Sequence, residues 1–137
     1  MASIPVTVVS VERLLFEGEA TFVRTRSTEG ELGILPRHSP LLAVLAPGEL
    51  RIDRVDGGSE HIFVGGGFME VLPERVTVLA DVAEHADEIN LERAEESRRE
   101  VAERLKGQID EGERQGLERE LVMAEERLRL ARVRRGR

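Results

Sequence analysis

The chain contains no cysteine, tryptophan or tyrosine; four phenylalanines are its only aromatic residues and Lys106 is its only lysine. Without cysteine, disulfides, thiolate metal sites and thiol catalysis are excluded. So sparse a set of aromatics leaves no platform on which nucleobases stack. A formal net charge of -7 also lacks the basic footprint that phosphate neutralisation requires, which sets nucleic acid aside as a main partner. No apolar run approaches the length of a membrane span and the N-terminus has no signal-peptide pattern, so a soluble, intracellular chain is expected. The three histidines, His38, His61 and His85, do not stand at metal-ligand spacing. No carboxylate flanks a serine or histidine in a triad arrangement. Neither a metal, a required cofactor nor catalysis by this chain alone is expected.

What is present is unevenly spread. At 137 residues the chain is one ordinary domain, or a small domain with an appendage. Residues 1–84 carry 13 acidic and 7 basic side chains, whereas residues 85–137 carry 14 and 13. The second part is therefore a dense mixture of signs, as on a solvated helical surface.

From Ile4 to about Ala83 the dominant period is two and β-branched residues prevail, which favours strands. Ile4, Val6 and Val8 alternate with Pro5, Thr7 and Val9. Phe22 and Val23, then Leu50 and Ile52, then Phe68, Val71 and Leu72, then Val76, Val78 and Leu79 supply further apolar positions. Turn signals at Glu17-Gly18-Glu19, Pro47-Gly48, Asp56-Gly57-Gly58 and Pro73-Glu74-Arg75 cut this region into short strands. Many short strands with closely spaced turns predict a sandwich or barrel. Gly65-Gly66-Gly67 invites a phosphate-loop reading, which needs a helix after the glycines and a lysine to reach the phosphates. Here a strand-like segment follows, so a bulge or a close strand approach is expected instead.

The stretch Glu29–Pro40 reads E-G-E-L-G-I-L-P-R-H-S-P. Its glycines and prolines argue against a helix, and Pro36 and Pro40 suit only an edge or a loop. Leu32, Ile34 and Leu35 are expected to anchor it while Glu31, Arg37 and His38 face outward. By itself this is either an ordinary connection or a loop shaped to present something.

Character changes between Glu84 and Asn90. Asn90 is a fitting N-cap, and proline is absent beyond it. Leu91, Ala94, Val101 and Leu105 mark one helix. Lys106 to Gly112 read as a polar link. Leu117, Leu121, Ala124, Leu128 and Ala131 mark a second helix, spaced four, three, four and three. Two such helices joined by a glycine-containing link form an antiparallel hairpin. Its alanine-rich seam buries little area, so the hairpin is expected to need a surface on which to dock, and to be able to exchange one surface for another. Arg127, Arg129, Arg132, Arg134, Arg135 and Arg137 crowd its last turns. Positive charge there suits the helix macrodipole, and arginine forks also suit an acidic protein surface.

Several segments carry a resemblance that extends over essentially the whole chain. They are V-V-S at Val8–Ser10, the Glu29–Pro40 stretch, P-G-E-L-R-I at Pro47–Ile52, G-G-F-M-E-V at Gly66–Val71, V-T-V-L-A-D at Val76–Asp81 and E-R-A at Glu92–Ala94. In this order and spacing the sequence resembles the epsilon subunit of bacterial and chloroplast F-type ATP synthases. The resemblance implies a β-sandwich of about ten strands over residues 1–86, which binds the rotor. It implies a regulatory antiparallel α-helical hairpin over residues 87–137. It implies a non-catalytic place in the central stalk, bound to the gamma subunit and the membrane c-ring, at the cytoplasmic face of the bacterial membrane and in support of proton-driven ATP synthesis. Membrane association would be indirect, through the complex.

The same resemblance implies roles for particular residues. Ser10, Glu31, Arg37 and His38 would contact the rotor and c-ring. Arg127, Arg129, Arg132, Arg134 and Arg135 would face the alpha and beta subunits and restrain ATP hydrolysis when the hairpin extends. Some members bind ATP through an I-D-x-x-R-A motif; here Ile89-Asn90-Leu91-Glu92-Arg93-Ala94 keeps Arg93 and Ala94, with Glu84 at the upstream acidic position. Asn90 replaces the motif's aspartate and Glu100 stands where a basic residue is expected, which puts ATP as a regulatory ligand in doubt. The alternative of another class is a stand-alone nucleotide-sensing sandwich and hairpin. A rotor subunit should expose an apolar sheet face and a loop edge, while a binding module should have a pocket with converging polar groups.

Overall fold

The computed structural model describes residues 2–135 in backbone and residues 2–134 in side chains. Arg137 and the side chain of Arg135 therefore lie outside the described residues. The chain divides into two compact units, residues 1–85 and 86–137.

The first unit is built from nine strands: β1 Ile4–Ser10, β2 Leu14–Ser27, β3 Gly30–Ile34, β4 Leu41–Leu45, β5 Gly48–Arg54, β6 Ser59–Val64, β7 Gly67–Leu72, β8 Arg75–Ala80 and β9 Ala83–His85. β2 explains how nine strands make two layers of five. Its first half pairs with β1 from Ala20 to Leu14; β1 continues in parallel to β8, and β8 to β7 and β4. Its second half pairs on one side with β3 and on the other with β5, which continues to β6 and β9. The register of β2 slips between Ala20 and Phe22, where the strand passes from one layer to the other. Such a local irregularity bends a long strand without breaking its pairing. Counting β2 once in each layer gives the ten strand segments expected of the sandwich.

Period-two alternation places one face of each strand inward. Ile4, Val6 and Val8 of β1, Leu50 and Ile52 of β5, Met69 and Val71 of β7 and Val76 and Val78 of β8 form the core between the layers. The Pro47-Gly48 turn does not close a hairpin; it carries the chain from β4 in one layer to β5 in the other. Asp56-Gly57-Gly58 does close the β5–β6 hairpin: the Asp56 carboxylate accepts from the Gly58 amide at 2.9 Å, and Gly57 adopts φ +98°. The Glu29–Pro40 stretch is not one loop. Gly30–Ile34 pair with β2 as an edge strand, and only Leu35–Pro40 is irregular. Its prolines fall just past the ladder, where no amide is owed to a neighbour. Ile34 is buried as expected, whereas Leu35 is 60% exposed.

The triple glycine is a close strand approach. Gly67 has φ +126°, and a Cβ placed on it would lie 2.2 Å from the Leu79 carbonyl oxygen. Glycine is required there on both counts.

The second unit opens with a short 3-10 turn, Ala86–Glu88, followed by α1 Leu91–Leu105 and α2 Glu111–Arg135. Asn90 caps α1, its side-chain oxygen accepting from the Arg93 amide at 3.0 Å. Asp110 does the same for α2 through the Glu113 amide at 2.8 Å. Gly112 consequently falls inside the first turn of α2 and does not bound the link, because the stronger local signal is the Asp110 cap. The helices run antiparallel: Arg132 near the end of α2 meets Glu95 near the start of α1 at 3.2 Å. Ala94, Leu117, Leu128 and Ala131 are buried, as the seam requires, and Leu130, outside the seam, is buried too.

Candidate interaction site

The outward face of the first layer carries an unusual row. Strand register aligns Val44 with Phe68, Phe68 with Leu79, Leu79 with Val9 and Val9 with Leu14. One apolar side chain from each of the five strands thus stands on a single rung. Phe68 is 50% exposed and Leu79 54%, and Leu14 and Val44 are comparably open. Leu42 extends the patch along β4, and Val11, 91% exposed, lies just beyond the end of β1. Phe68 and Leu79, which read in sequence as members of the apolar pattern, belong to the opposite face from core residues Met69 and Val78. A one-residue step along a strand reverses the face.

A chain of backbone pairs sets the rim beside this row: Ser10 with Ala80, Ala80 with Gly67, Gly67 with Leu45, Leu45 with Ser27, and Ser27 with Gly30. Ser10 and the turn leading into Glu31 therefore share one end of the sandwich. The Ser10 hydroxyl accepts from the Glu12 and Arg13 amides at 3.2 and 3.3 Å, which folds the β1–β2 turn tightly. Ser27 does equivalent work in the β2–β3 turn: its hydroxyl donates to the Gly30 carbonyl at 2.7 Å and accepts from the Glu29 amide at 3.1 Å. Glu31 pairs with Arg24 across the strand at 3.2 Å. At the other end of the layer, Leu41 pairs with Val71, Val71 with Val76 and Val76 with Val6. The Leu35–Pro40 connection enters there. Arg37 and His38 are thus not brought together with Ser10 and Glu31.

The connection is a tight turn in which the His38 amide donates to the Leu35 carbonyl at 3.1 Å and Arg37 takes φ +69°. His38 Nδ1 lies 2.7 Å from the Ser39 carbonyl oxygen, a local turn contact. His61 is a satisfied strand histidine, its Nδ1 2.5 Å from a Glu49 carboxylate oxygen. The outward face of the second layer carries Arg24, Glu31, Glu49, Arg51, Asp53 and His61, with Phe22 and Phe63 among them opposite Asp53 and Glu49. Partial burial pushes the Asp53 carboxyl up, but hydrogen bonds from Ser59 and Arg51, with the charges of Arg51 and His61, outweigh it and hold the group below its ordinary value.

Two arginines of α2 are engaged within the hairpin. Arg129 pairs with Glu126 one turn earlier, Nε to Oε2 at 3.1 Å, and Arg132 with Glu95. Arg134 is half-buried and its Nε has no hydrogen-bond partner. Glu84 lies on β9 in the first unit and Arg93 in the first turn of α1 in the second. An open depression of about 600 Å³ on α1 is lined by Glu96, Arg99, Glu100, Glu103 and Arg104, and includes neither. Among the described residues there is no cluster of three or more metal-ligating side chains, and no helix is long and apolar enough to cross a membrane.

Residues 3–86 match the family model for the ATP synthase Delta/Epsilon chain beta-sandwich domain. An ATP synthase epsilon chain from Bordetella petrii is 46% identical over 123 residues, covering 90% of this chain and 87% of the relative. The chain belongs to the ATP synthase epsilon chain family. A second relative of the same name, from Bordetella avium, is 44% identical and covers 100% of this chain and 98% of its own length. Among solved structures, a chain of the Euglena gracilis mitochondrial ATP synthase, in an assembly of OSCP, F1 and c-ring, superposes with a TM-score of 0.81 at 26% identity. It covers 91% of this chain and 79% of the other. A chain from the central stalk and c-ring of the Tetrahymena thermophila enzyme shares the fold, with a TM-score of 0.52 at 21% identity over 62% of this chain and 68% of its own.

Proposed function

We propose that the chain is a non-catalytic rotor subunit that holds gamma and links it to the membrane c-ring, and that its hairpin restrains ATP hydrolysis. The observation that carries this reading is the exposed row Val44, Phe68, Leu79, Val9 and Leu14. A sheet face that keeps this much contiguous apolar surface is what a lasting protein partner covers. Gamma takes that face. The adjoining rim, with Ser10 and Glu31, meets the polar loops of the c-ring, and Arg37 and His38 make a separate rotor contact from the opposite end. The complex sits peripherally at the cytoplasmic face of the membrane and serves proton-driven ATP synthesis.

For restraint, Arg127, Arg129, Arg132, Arg134 and Arg135 face acidic surface on alpha and beta. Arg132 and Arg129 first give up Glu95 and Glu126. The Arg132–Glu95 pair is largely exposed and such pairs are worth about 0–1 kcal/mol, so giving it up opposes extension only weakly. For the nucleotide-sensing alternative, Glu84 and Arg93 would hold ATP. Asn90, however, has its side-chain oxygen committed to the Arg93 amide and brings no charge to a ligand.

Co-elution with purified gamma tests the docking. The wild-type chain should co-elute and Phe68→Asp should not; a wild-type chain that stays separate from folded gamma removes the rotor reading. Truncation after Glu88 should leave co-elution intact and raise ATP hydrolysis by the assembled complex. Unchanged hydrolysis would mean that the hairpin exerts no restraint.

A further inference from the structure

The apolar row is bordered by carboxylates on both sides. On the next outward rung, register aligns Leu42 with Glu70, Glu70 with Thr77, Thr77 with Thr7 and Thr7 with Glu17. Toward the rim stand Glu12, just past β1, and Asp81, just past β8. All four acidic side chains are exposed, and none is drawn into an ion pair among the described residues. Arg13 is the one basic residue beside them at the rim, and Arg75 lies beyond the Glu70 rung on the far side. The contrast with the second layer is instructive. There the outward charges neutralise each other, Arg24 with Glu31 and Arg51 with Asp53. The first layer leaves its acids uncompensated beside its apolar patch.

Uncompensated carboxylates around an apolar centre act on association in two ways. They raise the local concentration of a positively charged partner, and they penalise any partner that brings its own carboxylates to the same rim. We infer that the surface covering the Val44–Leu14 row is an apolar strip bordered by lysine or arginine side chains placed to meet Glu17 and Glu70 on one side and Glu12 and Asp81 on the other. A second copy of this chain is a poor occupant, because it brings the same acidic border to the contact. This inference rests on the docking reading above and adds to it the charge of the partner's surface.

The test follows association of the full-length chain with immobilised gamma at low and high salt. At low salt, Glu17→Lys/Glu70→Lys should slow association on the order of ten-fold, with the Glu→Gln pair intermediate, and raised salt should collapse the differences among all three. Both substitutions lie on the solvent face, and unchanged circular dichroism confirms folding. If gamma binds and the charge variants associate at the wild-type rate, the basic border is wrong while docking on the apolar row stands. Faster association of the Lys pair would mean that the partner is acidic there, which also overturns the inference. If gamma binds neither the wild type nor Phe68→Asp, the docking reading itself falls.

Discussion

Replacing Gly67 by alanine separates two reasons for a glycine and gives each a size. Gly67 combines φ +126° with a neighbour 2.2 Å from the position of a Cβ. The backbone conformation alone strains an L residue by about 1–3 kcal/mol. The obstructing atoms are the Leu79 carbonyl oxygen and the Ala80 Cα, both backbone of the paired strand, so no rotamer change relieves the clash. Forcing β7 and β8 apart adds overpacking of about 1–3 kcal/mol. The total, about 2–6 kcal/mol, is a large share of the roughly 5–15 kcal/mol by which a domain of this kind is stable. Gly57 is the control: its φ is +98°, but no atom lies within 4 Å of its Cβ position, so Gly57→Ala meets the backbone strain alone. Because tryptophan and tyrosine are absent, the measurement is urea unfolding followed by amide exchange at Val71 and Val78, core positions flanking the site. Gly67→Ala should cost more than Gly57→Ala by the overpacking component. Equal losses for the two variants would refute the close-approach account of the triple glycine.

Two further outcomes follow from local chemistry. Asn90→Ala removes the acceptor for the Arg93 amide and should destabilise α1 by about 1 kcal/mol, read as faster exchange of that amide, while Asn90→Asp should keep the cap. Asp53 has a carboxyl held below its ordinary value in the fold, so its contribution is present above the unfolded value of 3.8 and is lost as pH falls through the lower folded value. Asp53→Asn should therefore cost stability at neutral pH, and the gap to wild type should close in acid unfolding below about pH 4; a gap that persists at low pH would rule out this linkage.

Much of the architecture was legible because it is local. Period-two runs of β-branched residues with Asp56-Gly57-Gly58 and Pro73-Glu74 between them encode strands and hairpins within a few residues of each other. Asn90 and the four-three spacing from Leu117 to Ala131 likewise encode capped, one-sided helices. The ordered motifs from Val8 to Ala94 carried the family. The Glu29–Pro40 stretch was only half legible: its prolines marked a loop, but β3 forms because β2 offers an open edge, which no residue of the stretch announces.

The candidate site was legible least. Leu42, Val44, Phe68 and Leu79 are as apolar as their buried neighbours, and composition cannot tell the two faces of a strand apart when both are apolar. Register decides it, and register depends on partners dozens of residues away. In the same way the resemblance grouped Ser10, Glu31, Arg37 and His38 on one rotor surface, whereas β3 runs away from the Ser10–Glu31 end and carries Arg37 and His38 to the other. By itself the sequence determined most of the strands, both helices and their order, since these follow from backbone propensities and short-range signals, whereas β3 and the need for glycine at 67 come from the paired strands. Which apolar side chains face water, and which charges border them, was decided only by the long-range pairing that aligns five strands on one rung.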